Sequence, residues 1–171
     1  MKTLLAAALF ALAGAAAQAA TFTFSFDNED GAVAGTVSGT IVLPDGDGTF
    51  AATSVSIDAF PSGLGIGAAP VDALRSGFIE NTFTVVSGAI SDALFFGLIN
   101  GGTALSLDAD FASGSSFLDA SYAGNFGATG VRDADSSTLR FSAVGAAIPL
   151  PASLPLVLAG LGGLALLRRR A

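Results

Sequence analysis

Cysteine, histidine and tryptophan are absent from these 171 residues, and the only lysine is Lys2. Each absence removes a chemistry. Without cysteine there is neither a disulfide nor a thiolate nucleophile, so packing must hold the fold. Without histidine there is no Ser-His-Asp triad and no His-Cys zinc site. With Lys2 in a leader, the mature chain has no lysine for a Schiff base or for a Lys-Asn isopeptide link. The catalytic option left is a carboxylate pair of the glycoside-hydrolase type, with Glu29 and Glu80 the only glutamates among 14 acidic residues. No two of these are marked as acid and base at the needed separation, so the chain reads as a non-enzyme with no cofactor, no metal site and no catalytic residues. Aromatic side chains are 14 Phe and the single Tyr122, and Phe at alternating positions is core rather than a sugar-stacking platform.

Positive charge is scarce between the ends. All 14 acidic residues lie between Asp27 and Asp135, and the body at residues 20–147 adds only Arg75, Arg132 and Arg140, which leaves it at −11. Such a body repels nucleic acid and anionic lipid, and cations or neutral glycans are better partners.

The N-terminus reads as a signal peptide over residues 1–19. Lys2 supplies the positive start, residues 4–17 the apolar run, and Ala17-Gln18-Ala19 the small-x-small cleavage site, with cutting after Ala19 or Ala20. The opposite end carries Ile148-Pro149-Leu150-Pro151-Ala152, an uncharged stretch to Leu167, and then Arg168, Arg169 and Arg170. As a helix, residues 154–167 would be about 21 Å long against a hydrocarbon core of about 30 Å, a marginal span. The arginines would hold the C-terminus on the cytoplasmic side and leave the body outside.

This tail resembles the PEP-CTERM class of sorting signals, in its Val-Pro-Leu-Pro-Ala (VPLPA-CTERM) variant, with Ile148 in place of the usual Val. The resemblance covers residues 148–171. It implies processing by an exosortase, a membrane cysteine peptidase of Gram-negative bacteria. Ile148, Pro149, Leu150, Pro151 and Ala152 would be the recognition motif, residues 154–167 the transmembrane helix and Arg168, Arg169 and Arg170 the cytoplasmic stop. The implied partners are signal peptidase, the exosortase-like peptidase, the inner membrane during transit and exopolysaccharide; no nucleic acid is among them. The implied destination is the cell surface or extracellular matrix. A tail anchor that is never cleaved is the competing reading.

The body, residues 20–147, is expected to be all-β: one antiparallel β-sandwich or jelly-roll-like domain, flanked by the signal helix and the transmembrane helix. Phe22, Phe24 and Phe26 alternate with Thr and Ser, the period of a half-buried strand. Val33, Val37, Ile41 and Leu43 repeat it, and Gly35 and Gly39 on the same face indicate close approach or bulges. Asp45-Gly46-Asp47-Gly48 reads as a hairpin turn into a strand from Thr49 to Ile57. Gly and Pro mark residues 60–77 as a long loop, with a short helical turn at 70–75. Further strands are expected at 78–87, 94–99, 104–111, 117–123 and 138–144.

Several acidic groupings invite a metal reading. If Asp45 and Asp47 held positions 3 and 5 of a calcium loop, positions 1 and 12 would be Leu43 and Ser54, where carboxylates are required. The EF-hand reading therefore fails, although a looser site joining this turn to Asp27, Asn28, Glu29 and Asp30 stays open. Asp108 and Asp110 share the solvent side of a strand, as an exposed face that resists aggregation does. Asp133 and Asp135, beside Arg132 and Ser136, read as a solvated loop in which Arg132 pairs locally for little gain. A calcium- or glycan-binding surface module is thus the second functional reading, and a carboxylate-dependent glycosidase the third.

Overall fold

Residues 19–109, 114–121 and 127–145 are described in the computed structural model, and all fall within one unit, Gln18–Gly145. The signal segment before Ala19, the sorting motif, the apolar tail and its arginines lie outside the described residues, as do Asp110 and Tyr122.

The architecture is all-β, built from two antiparallel sheets. In the five-stranded sheet the order is β11 (Arg140–Ala143), β1 (Ala19–Asp27), β2 (Thr36–Pro44), β4 (Ser54–Ala59) and β5 (Val71–Asp72). In the six-stranded sheet it is β10 (Val131–Asp133), β9 (Ser116–Asp119), β8 (Ala104–Asp108), β7 (Ala89–Leu98), β6 (Phe78–Val86) and β3 (Gly48–Phe50). From β6 to β10 the strands are neighbours in sequence as well as in space, a meander within one sheet. All four edge strands are four residues or fewer, which limits the backbone offered to a foreign strand.

The strand period decides what is buried. Phe22, Phe24 and Phe26 are each at most 2% exposed, whereas Thr23 and Asp27 between and beside them are exposed. Val37, Ile41 and Leu43 of β2 and Val55 and Ile57 of β4 continue the same face, and Phe83, Phe95, Leu105, Leu107 and Leu118 of the other sheet close onto it in one apolar cluster. A buried side chain of this size contributes about 1.5–3 kcal/mol relative to leaving it in water. In a chain without disulfides these contacts carry the stability.

Four expectations are corrected. The turn at residues 45–48 is not a hairpin: β2 and β3 belong to different sheets, and Asp47 instead accepts from the Ser87 and Gly88 amides, 2.9 and 3.0 Å away in the β6–β7 turn. The expected strand from Thr49 to Ile57 is two strands in two sheets. Between them the Asn81 carboxamide bonds both main-chain groups of Ala52, at 2.8 and 3.0 Å, in place of a neighbouring strand. The expected helical turn at 70–75 begins as β5, paired to β4 through Ile57 and Val71. Strand β7 starts at Ala89, well before Leu94, because Ser87 and Gly88 both adopt positive φ, 53° and 75°, and so form a two-residue hairpin turn matched to strand twist.

Gly39 faces Phe24 across the β1–β2 ladder, and the β2–β4 register shifts beside it. A Cβ there would meet the Ser56 carbonyl and the Phe24 ring. Gly39→Ala is therefore expected to cost about 1–3 kcal/mol through overpacking, read as a lower urea midpoint with an unchanged slope.

Candidate functional site

Glu29, Asp30, Asp133 and Asp135 converge where the loop after β1 meets the segment after β10. Asn28 organises the first loop: its Oδ1 accepts from the Gly31 and Arg132 amides and its Nδ2 donates to the Gly31 carbonyl, each at 3.0 Å. The Glu29 and Asp30 amides both donate to the Arg132 carbonyl, at 2.8 and 3.0 Å. Val33 belongs to this loop and not to β2; its amide donates to the Gly130 carbonyl at 2.9 Å. The loop thus runs along the free edge of β10 and covers it.

Asp133 sits at the centre. It is fully buried, at 0% exposure, which overturns the solvated-loop reading for this residue, whereas Asp135 is exposed. Its carboxylate accepts from the Ser137 amide at 3.1 Å, the Thr138 amide at 2.8 Å and the Thr138 hydroxyl at 2.6 Å. A buried carboxylate needs this satisfaction, because desolvating it unpaired would be costly. Ser136 is buried as well and bonds Ser116 of β9 at 2.9 Å. Around this centre stand two exposed carboxylates, Asp135, which takes the Ser137 amide at 3.0 Å, and Glu29, which takes the Ser137 hydroxyl at 3.2 Å. One oxygen from each of Glu29, Asp133 and Asp135 lies within 4.8 Å of the others. The Ser137 hydroxyl and amide hold the Asp135 carboxyl below the usual carboxylate range, with a further contribution from Asp133. The side chain of Arg132 does not take part in the expected local pairing through Nε, which is buried without a hydrogen-bond partner; its main-chain groups do the tying.

Chemically this is a latch between two loops before it is a cation cage. A calcium ion takes six to eight oxygens, and three carboxylates already engaged by serine and threonine supply part of such a shell. The looser site proposed around Asp45 and Asp47 does not form. Asp27 and Pro44 stand at opposite ends of the β1–β2 ladder, so the two groups are separated by about 27 Å of strand. Glu29 and Glu80 are not brought together either: β10 and β6 are four strand spacings apart, on the order of 19 Å, beyond the about 9.5 Å upper limit for a glycosidase pair. Asp108 is half-buried opposite Leu107 and Ala109, on a face where its neighbours Ser106, Phe117 and Asp119 are buried, so this side of β8 is not simply solvated. Of the proposed signal-cleavage residues, Ala19 opens β1 opposite Pro44, and Ala17 lies outside the described residues.

Sequence reasoning missed Asp119. It is 1% exposed and accepts from the Ser121 amide at 2.8 Å, the Thr129 amide at 3.2 Å and the Thr129 hydroxyl at 2.8 Å, so it repeats the arrangement of Asp133 at the end of β9. The available signal is an Asp ending a strand with Ser or Thr following in the loop, the pattern of a side chain that captures nearby backbone amides.

Comparison with protein-family models, with curated proteins and with solved structures gives no match for this chain. No helix among the described residues is long and apolar enough to cross a membrane.

Replacing Asp133 by Asn sets an amide NH2 among donors that need an acceptor, and is expected to cost about 1–3 kcal/mol, whereas the exposed Glu29→Gln changes stability by about 0.5 kcal/mol or less. Because the Asp135 carboxyl is depressed in the folded state, its contribution is complete above its unfolded value of about 3.9 and is lost as pH falls through the lower folded value. Urea titrations of both variants and of the parent chain across that acid range check the two statements.

Proposed function

We propose that this chain is an exported, exosortase-processed protein of the bacterial cell surface or extracellular matrix, with a non-enzymatic, sandwich-like body. The observation that carries the reading is the order of three parts at the chain end: Ile148-Pro149-Leu150-Pro151-Ala152, the uncharged stretch to Leu167, and Arg168, Arg169 and Arg170. The signal-like start with Lys2, Ala17 and Ala19 supports the same route. The body fits delivery as a building block: its convergent carboxylates serve to hold loops, and its two glutamates stand far apart. In this reading the precursor is tethered to the inner membrane by residues 154–167 and is then released for association with exopolysaccharide. Intact mass of the surface form should show loss of residues 154–170 in cells that have the processing peptidase, and changing Pro149 and Pro151 to Ala should leave the protein membrane-bound. Recovery of the full C-terminus at the surface would sink the sorting reading.

The convergence of Glu29, Asp133 and Asp135 favours one second reading, a calcium-binding surface module. A melting scan separates the two. A latch predicts no shift with calcium or with neutral glycans, whereas a module predicts a rise that follows ligand concentration and disappears in Glu29→Gln.

A further inference from the structure

We propose that Asn100 is a site of spontaneous covalent modification, through a succinimide formed with Gly101, that ages the β7–β8 turn. Four Asx-Gly pairs lie within the described residues, and the structure separates one from the rest. The Gly31 amide is committed to Asn28 Oδ1 at 3.0 Å, and the Gly46 amide to the carboxylate of its own Asp45 at 3.0 Å. Gly48 is paired in β3 opposite Val85, and the Asp47 carboxylate before it is held by two amides. Gly101 differs. Its amide has no hydrogen-bond partner among the described residues, and nothing lies within 4 Å of where its Cβ would be. The residue before it is an amide, which expels ammonia more readily than a carboxylate expels hydroxide.

The turn also prepares the electrophile. Asn100 is exposed, and its Oδ1 accepts from the Gly102 amide at 3.2 Å and the Thr103 amide at 3.0 Å. These two donors face the oxygen on which negative charge develops when Cγ is attacked, the role that backbone amides play in an oxyanion hole. Once the Gly101 nitrogen loses its proton it bonds to Asn100 Cγ, the Cγ–Nδ2 bond breaks, and ammonia leaves. One water then opens the ring. Attack at Cγ leaves an ordinary aspartate in place of Asn100, and attack at the main-chain carbonyl leaves isoaspartate. The balance is Asn plus water to Asp or isoaspartate plus ammonia, with no oxidant or cofactor.

Either product adds a negative charge to an already acidic body. The isoaspartate product also places an extra methylene in the main chain and turns Oδ1, the acceptor of the Gly102 and Thr103 amides, into a main-chain carbonyl oxygen. It thereby loosens the turn closed by the Ile99 amide on the Thr103 carbonyl at 3.0 Å.

The test is incubation of the purified full-length protein at mildly alkaline pH, followed by peptide mapping and an isoaspartate assay. The expected result is amide loss at Asn100 ahead of Asn28 and Asn81, as a mixture of Asp and isoaspartate, at a rate that rises in step with hydroxide. Gly101→Ala, which meets nothing in the fold, should slow it several-fold. An intact Asn100, or a rate indifferent to Gly101→Ala, would overturn the proposal.

Discussion

The ring of Phe24 fills the space that a side chain at Gly39 would need, and the ring of Phe95 does the same at Gly97. Each large ring is set against bare backbone, so a few phenylalanines fill the gap between two sheets without pushing them apart. The first of these contacts fixes more than packing. Phe24 and Gly39 are register partners, and a slip of one residue would send Phe22, Phe24 and Phe26 to solvent together. The pairing of β1 with β2 therefore has one acceptable alignment, and β11 and β4 take theirs from it. Close-packed interiors tolerate little change in volume, and with no cross-link to hold the sheets, this fit between ring and glycine is what the architecture rests on.

The same economy governs the polar interior. Asp133 and Asp119 are buried carboxylates whose partners are amides and hydroxyls rather than cations. Only three arginines lie within the body, so ion pairing could not satisfy 14 acidic groups. Serine and threonine take that part. At the ends of β9 and β10 carboxylates accept from Ser121 and Ser137, residues that follow them, and the loop after β1 is held by main-chain bonds to Arg132. Negative charge that would destabilise a compact chain by self-repulsion is thereby turned, at two positions, into local structure.

What was legible in the sequence followed from strict alternation. Phe22, Phe24 and Phe26, and after them Val37, Ile41 and Leu43, show period two because one face meets the core and the other meets water, and no distant partner is needed to read it. The split of residues 49–57 was not legible, because it depends on Asn81, a carboxamide 29 residues from Ala52 that satisfies the backbone as a strand would. Strand β10 was hidden for a related reason. Its Arg132-Asp133 pair looks like surface, and the burial of Asp133 follows from donors in the next turn and from a β1 loop more than 100 residues earlier in the chain. The carboxylate cluster shares that difficulty, since Glu29 and Ser137 meet only through the fold. The proposal for the terminal segments rests on a different kind of reading, an order of residue types along the chain that invokes no tertiary partner.

Strands β1 and β11 run antiparallel, from Phe22 opposite Ala143 to Ser25 opposite Arg140, so the first and last strands of the body have their outer ends side by side. A pull that separates those ends loads a single rung at a time, as a zipper does, starting at the bond from the Val144 amide to the Thr21 carbonyl. The bonds from the Asp27 amide to the Thr138 hydroxyl and from the Ser137 hydroxyl to Glu29 lie at the far end of the same seam and feel the force last. Under tension applied there the body would fray from those outer ends, while the carboxylate latch acts as the stop at the bottom of the zipper.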